Sequence, residues 1–292
     1  MKLSMSSLCT RVIMVVVLLA CGLGLSVTAL GQGVDVGRSS AVGASGNSQA
    51  DLNAQQWILR MNDTAVDSAR LDPKEMSAYK AFYAAQELDK RIELGQKFLQ
   101  KYPSSPLSGA VYAELVQTYY TKQDWTNFYA SADKALAISP DNVDVLTTVG
   151  WVIPHVADPN GPGADQDLDR AERYEKHAIE LIGKMNKPAG ITDAQFVAFK
   201  DSELSEAHSG LGLVYFRRKD FENSVKELQQ STRSASTPDP TDLFALGLCL
   251  QNLQRNGEAA DTFDRCAQIP GSLQGQCKQR ADALKQPAGP SK

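Results

Sequence analysis

The sequence predicts an all-α fold, a right-handed helix–turn–helix solenoid of about five helix pairs followed by a C-terminal closing helix. The first observation is the stretch Ser205–Ser236, in which apolar residues recur at helical spacing on both sides of a turn at Arg218-Lys219-Asp220. The second is a matching unit that begins at Pro240, 35 residues after Ser205. In both units the second helix carries small, large and small residues at the same spacing: Ser224, Leu228 and Ser231, then Ala259, Phe263 and Cys266. Two helix backbones are therefore expected to approach closely where the small residues lie.

Residues 1–31 read as an export signal. Lys2 and Arg11 precede the apolar run Val12–Ala20, and small residues at Val27-Thr28-Ala29 or at Ala29-Leu30-Gly31 suit a signal peptidase. Cleavage and release are the favoured outcome.

Two anchored alternatives remain open for the same segment. Leu18-Leu19-Ala20-Cys21 resembles a lipoprotein box, which would make Cys21 the lipidated N-terminus. The uncharged stretch Val12–Leu30 is close to the ~20 residues that span a bilayer, and it could stay in the membrane as an anchor.

Residues 32–71 are predicted to be a linker that includes one short helix. Gln32–Ala50 is rich in Gly, Ser and Ala and carries almost no large apolar residue, so it cannot bury enough surface to offset its ordering entropy. The run QQWILRM, within Asp51–Arg70, is the predicted short helix.

The solenoid is predicted to span residues 72–286. Asp72-Pro73 is a helix-start signal for the first unit, whose second helix is Leu88–Tyr102. The second unit is Gly109–Pro140, where Phe128 and Ala132 reverse the usual order of sizes.

The third unit begins at Val143 and is interrupted. An insertion at residues 154–167 is expected before its second helix, which holds Ala171 and Ala178. Residues 183–204 form a second insertion, of which 192–204 is expected to lengthen the first helix of the next unit. Residues 272–285 read as a closing helix with the polar outer face that a solenoid end needs, and residues 287–292 as a disordered tail.

These units resemble the tetratricopeptide repeat (TPR), whose signature is Trp-x2-Leu-Gly-x2-Tyr followed by Ala, Phe and Pro. Leu211-Gly212 with Tyr215, and Leu246-Gly247 with Leu250, carry the resemblance. The ending FLQKYPSSP of the first unit's second helix resembles repeats of bacterial exported and envelope proteins.

The resemblance implies that the first helices of the pairs line a concave groove that binds a protein or peptide. The residues that it places on this surface are Gln117, Tyr120, Trp151, Leu213, Phe216, Arg217, Phe244 and Leu248. Four aromatics in such a set are typical of a partner surface. The alternative is that the two insertions cover Trp151 and Phe216.

One loop resembles an ion site. Asp158, Asn160 and Asp169 match ligand positions of a calcium loop, but Pro162 stands where a ligand belongs. A solvated surface turn is therefore the favoured interpretation. The three histidines do not gather and no catalytic motif is present, so the sequence predicts neither a cofactor nor an enzyme.

Three cysteines follow the signal. Cys266 and Cys277 flank a turn and could form a disulfide in an oxidising compartment, which would leave Cys249 free. The equally weighted alternative is three small buried residues.

The formal net charge of −4 and the sequence pI of about 5.5 argue against a nucleic-acid partner. Contact with a membrane is expected only through the N-terminal segment. The sequence thus predicts a non-catalytic scaffold, periplasmic or secreted, that binds a protein or peptide. The alternatives are an anchored structural or assembly component of the envelope and, more remotely, an enzyme or calcium-binding protein that uses the loop at residues 158–169.

Overall fold

The computed structural model describes residues 72–156, 161, 163–187, 191–234 and 237–286. All regular structure within these ranges is α-helical, and it forms five helix pairs and a closing helix, as predicted. The helices are α1 Pro73–Ala84, α2 Leu88–Lys101, α3 Ser108–Thr121, α4 Trp125–Ile138, α5 Val143–Val156, α6 Ala164–Lys184, α7 Asp193–Arg217, α8 Phe221–Ser234, α9 Pro240–Asn252, α10 Asn256–Ala267 and α11 Gln274–Lys285. None of the described helices combines the length and the apolar character needed to cross a membrane.

Several of the described helices, among them α1, α4, α7 and α9, begin after a residue whose side chain caps the first turn. The Asp72 carboxylate accepts a hydrogen bond from the Lys74 backbone N–H at 2.8 Å, and Pro73 is the first residue of α1. Thr192 and Gln195 form a reciprocal capping box that opens α7. The long helix α7, 25 residues, confirms that residues 193–204 extend the first helix of the fourth pair.

The turns inside three of the pairs share one backbone geometry. Gln123, Lys219 and Gln254 have φ of 55°, 60° and 59°, the left-handed conformation that ends many helices. The following backbone N–H in each case donates to a carbonyl five residues back, for example Asp220 N to Tyr215 O at 3.0 Å. The predicted turn at Arg218-Lys219-Asp220 is one of the three.

This geometry gives a first testable expectation. Lys219→Gly should raise the free energy of unfolding by about 0.5–1 kcal/mol, because glycine adopts positive φ without the steric cost of a Cβ. Urea denaturation of the variant and its parent measures the difference. Lys226→Gly, inside α8, is the matched control and should be destabilising by a similar amount. A loss of stability in both variants would contradict the strain argument.

Glycines permit close packing within the pairs. A Cβ on Gly212 of α7 would lie 2.6 Å from Leu228 Cγ of α8, and one on Gly247 of α9 would lie 2.6 Å from Phe263 Cε1 of α10. Leu228 and Phe263 are fully buried. The predicted meeting of small and large residues therefore occurs in both units.

The apolar core is distributed along the array. One cluster runs from α1 to α6 around Phe82, Phe98 and Phe128, and it also takes in Val214 of α7. A second cluster joins α7 to α11 around Leu250 and Phe263. Each helix thus buries its apolar face against its neighbours, as expected for a repeat fold.

The insertion predicted at residues 154–167 is shorter than expected. Helix α5 continues through Pro154 to Val156, and α6 already begins at Ala164, so the connection is 157–163. Pro154 removes only the hydrogen bond to the Gly150 carbonyl, and α5 tolerates that loss near its end.

Candidate partner-binding site

The predicted site residues occupy the first helices of four successive pairs. Helix α3 carries Gln117 and Tyr120, α5 carries Trp151, α7 carries Leu213, Phe216 and Arg217, and α9 carries Phe244 and Leu248. We call this set the A-helix face, where an A-helix is the first helix of each pair. All of its members are half-buried except Leu213, which is 6% exposed and packs into the second apolar cluster.

The contact between α3 and α5 is partly aromatic and partly polar. The rings of Tyr120 and Trp151 meet edge to face, with centroids 6.3 Å apart. One turn earlier, Gln117 Nε2 donates to Thr148 Oγ1 at 2.8 Å and to Asp144 Oδ2 at 3.3 Å. The structure therefore brings Gln117, Tyr120 and Trp151 together.

Trp151 is held from both sides. Its Nε1–H donates to Ser209 Oγ of α7 at 3.1 Å, and its ring stacks on His155 with centroids 3.8 Å apart. Burial lowers the pKa of His155, so the neutral imidazole donates from Nδ1 to the Trp151 carbonyl at 2.6 Å. These contacts fix the indole in one orientation on the A-helix face.

Arg217 joins α7 to the end of α5. Its Nε and Nη2 donate to the Pro154 carbonyl at 3.0 and 2.6 Å. The last carbonyls of a helix have no partner inside that helix, so the guanidinium caps α5. Of the predicted residues, Arg217 therefore has a clear packing role in addition to its place on the face.

A buried carboxyl connects α7 to α9. Asp242, 1% exposed, accepts from Ser209 Oγ at 2.7 Å and from Ser231 Oγ at 2.5 Å. Burial, followed by the charge of Asp239, raises the pKa of Asp242 to about 7. Because Ser209 also accepts from Trp151, a continuous hydrogen-bonded chain runs from α5 to α9.

Sequence reasoning missed a second buried carboxyl, Glu175 of α6. The spacing Ala171, Glu175, Ala178 matches Ser224, Leu228, Ser231, so Glu175 occupies the place of a core leucine. Its side chain is fully buried, and neither carboxyl oxygen has a hydrogen-bond partner in the described part of the chain. Burial, then Glu206 and Glu203, raise the pKa of Glu175 well above its usual range. The available sequence signal for this buried carboxyl was an acidic residue, Glu175, at a repeat position that is otherwise apolar.

Two glycines make room for this carboxyl group. A Cβ on Gly150 of α5 would lie 2.5 Å from Glu175 Cδ, and a Cβ on Gly210 of α7 would meet the same group. Glu175 is therefore wedged between the backbones of α5 and α7, directly beneath the segment that carries Trp151.

The predicted calcium loop lies largely outside the described residues, since Asp158 and Asn160 are not among them. Asp169 is described, and its exposed carboxylate pairs with Arg218. Within the described ranges, no group of three or more His, Cys, Asp or Glu side chains is placed to hold a metal ion.

The two predicted cysteines form a disulfide in the structure. Cys266 is the second-last residue of α10 and Cys277 lies in α11, with Cα atoms 5.7 Å apart and both side chains buried. Cys249 is a buried free thiol that donates to Ser224 Oγ at 3.2 Å. Burial raises the pKa of Cys249 to about 11, which makes it a packing residue and not a nucleophile.

No family model and no curated protein matches this chain. Three solved structures are similar to this chain at low identity. A thermophilic TPR protein of Thermus thermophilus is 15% identical, with 72% of this chain and 98% of that one covered and a TM-score of 0.45. Yeast Tom70 is 15% identical, with 82% and 44% covered and a TM-score of 0.47. A tetratricopeptide repeat protein of Parabacteroides merdae is 12% identical, with 72% and 97% covered and a TM-score of 0.30.

Proposed function

We propose that this chain is a non-catalytic, TPR-like scaffold that binds a protein or peptide on the A-helix face. The observation that carries the proposal is that four successive first helices each carry one half-buried aromatic residue on this face, Tyr120, Trp151, Phe216 and Phe244. Phe216 and Phe244 pack against the second cluster and are half-buried, with part of each ring open to solvent. Aromatic side chains that are rigidly held and partly open to solvent are typical anchors of protein interfaces.

The face also offers hydrogen-bonding groups between its apolar anchors. Gln117, one turn before Tyr120, donates to Asp144 Oδ2 at 3.3 Å, and Arg217 is the last residue of α7. A partner with alternating apolar and polar side chains suits such a surface, because polar groups fix its register while the apolar ones supply most of the binding energy.

The proposed location is the cell envelope or exterior, on the strength of the apolar segment within residues 1–31 and of the Cys266–Cys277 disulfide. The second candidate function is an envelope component tethered through Cys21 or through Val12–Leu30. Both of these anchors lie outside the described residues. Fractionation and the mass of the mature N-terminus distinguish release from either anchor.

Capture from an envelope extract tests the scaffold proposal. The full chain should retain a protein that the Trp151→Ala variant retains at least tenfold less well, since an interface anchor contributes about 2 kcal/mol or more. Equal capture by both proteins would contradict a role for the A-helix face.

Stability measurements on the same residues separate binding from packing. Trp151→Ala and Phe216→Ala should weaken partner binding by about 2 kcal/mol or more while unfolding changes less than the ~3–5 kcal/mol typical of a core aromatic. Ile138→Ala is the matched control, because Ile138 is 50% exposed at the end of a second helix. Thermal melts far below the parent for both aromatic variants would assign Trp151 and Phe216 to the core.

A further inference from the structure

The chain itself contains one segment suited to the A-helix face. Residues 1–31 read as an export signal, residues 32–50 lack large apolar side chains, and the tail 287–292 is PAGPSK. Among the parts of the chain outside the helical array, only residues 54–71, AQQWILRMNDTAVDSARL, combine large apolar residues with arginines downstream of the signal. Composition thus leaves a single internal candidate for this surface.

The pattern of this segment favours a helix with one apolar stripe. Trp57, Met61 and Ala65 follow each other at intervals of four residues, and Ile58 lies beside them on the same stripe. A stripe of this kind is the usual ligand of an apolar groove between helices.

We propose that residues 54–71 dock on the A-helix face of the same chain, with Trp57 and Met61 beside Trp151 and Phe216. The inference rests on the proposed function of that face and names a regulator of it. While the segment is docked, it competes with any external partner for the same aromatic anchors.

The attachment point and the length of the segment allow this contact. The segment ends at Leu71 and is followed by Asp72, the N-cap of α1, which is the first helix of the first pair. Helices α1 and α3 each pack on α2, and α5 packs on both α3 and α7. The fifteen residues from Trp57 to Asp72 span about 22 Å as a helix and about 50 Å when extended.

Charge is arranged to orient the segment. Asp144 and Glu206 lie near the N-terminal ends of α5 and the repeat part of α7, and Arg217 lies at the other end of α7. Arg60 stands within the apolar stretch of the segment, and the acids Asp63 and Asp67 follow it. An orientation that turns Arg60 toward the ends of α5 and α7 that carry Asp144 and Glu206 puts opposite charges on the same side.

A peptide of residues 54–71, labelled with a fluorophore, is the probe for this proposal. Full-length parent chain should bind it weakly, because a tethered copy of the same sequence acts at an effective concentration of about millimolar. The double variant Trp57→Ala/Met61→Ala frees the face, so it should bind the peptide at least tenfold more tightly. Val34→Ala/Val36→Ala, in the linker, is the matched control and should behave as the parent does.

Adding Trp151→Ala to the double variant should remove the gain in affinity, which would locate the peptide on the A-helix face. If the parent and the double variant bind the peptide with equal affinity, or if neither binds it, the docking proposal is wrong. The capture of a protein from an envelope extract tests the proposed function of the A-helix face separately. Sedimentation at two protein concentrations tests whether the segment docks on a second copy of the chain instead of on its own chain. A parent dimer that becomes monomeric on Trp57→Ala/Met61→Ala would show that the segment reaches a second copy, and the intramolecular proposal would be wrong.

Discussion

Replacing Glu175 by leucine is expected to raise the free energy of unfolding at pH 8 by about 2 kcal/mol or more. The fully buried carboxyl has no hydrogen-bond partner among the described residues, and an unsatisfied buried polar group costs about 1–3 kcal/mol, or more when it is charged. A leucine fits this register, because Leu228 fills the equivalent place against Gly212.

The gain should depend on pH in a defined direction. Burial raises the folded-state pKa of Glu175 well above the ordinary 4.5. Its contribution to stability is therefore fully present below pH 4.5 and is lost as the pH rises through the folded-state pKa, because the unfolded chain then releases a proton that the folded chain retains. Asp242 acts in the same direction between its ordinary pKa of 3.8 and its folded-state pKa of about 7.

Urea denaturation at pH 5 and pH 8 measures both effects. The parent should be less stable at pH 8 than at pH 5. Glu175→Leu should reduce this difference in the free energy of unfolding, and the part that remains should come from Asp242. Glu175→Gln is the matched control, since the amide cannot ionise and yet remains unsatisfied; it should flatten the pH dependence with a smaller gain. A Glu175→Leu variant less stable than the parent at pH 8 would show that the carboxyl makes a favourable interaction.

The second large effect concerns the closing helix. Cys266→Ser/Cys277→Ser should lower the free energy of unfolding by roughly 3 kcal/mol, the chain-entropy value for a disulfide that closes a loop of this length. The loss should concentrate in α11, whose described buried residues are only Cys277 and Ala281. Hydrogen exchange of α11, compared with that of α9, reports where the array opens.

Cys249→Ala is the control for loss of a buried sulfur without loss of a cross-link. It should cost less than the double serine variant and should leave exchange in α11 unchanged. The parent under reducing conditions should reproduce the double variant. If the unreduced parent carries free thiols at both Cys266 and Cys277, the disulfide does not form in solution and the expectation fails.

The prediction of the fold succeeded where the signals were local. Asp72-Pro73, the turn at Lys219 and the spacing of Leu228 and Phe263 each involve chemistry within one or two helical turns, so the chain order alone reveals them. The insertion at residues 154–167 was overestimated for the same reason. Proline is a local sign of helix termination, but α5 has enough packing around Val152 and Ile153 to continue past it.

For the candidate site, too, the sequence revealed only what local signals carry. Repeat register identified which residues lie on first helices, and the structure brings Gln117, Tyr120 and Trp151 into contact there. The repeat register did not identify Ser209 and Asp242. These two residues matter because Trp151 of α5 donates a hydrogen bond to Ser209 of α7, and Ser209 donates in turn to Asp242 of α9. Such a chain of contacts joins residues 58 and 33 positions apart and leaves no local pattern.

Residue order alone therefore determined the class of fold, the number of helix pairs and several helix limits, because these depend on capping, periodicity and turn chemistry along one stretch of chain. Tertiary packing alone decided which side chains become buried and which partners they meet. Glu175 became a buried, unpaired acid within the described chain because Gly150 and Gly210 lie on different helices that close over it. Cys266 and Cys277 became a disulfide instead of two buried thiols because α10 and α11 place their Cα atoms 5.7 Å apart, a distance that sequence separation does not fix.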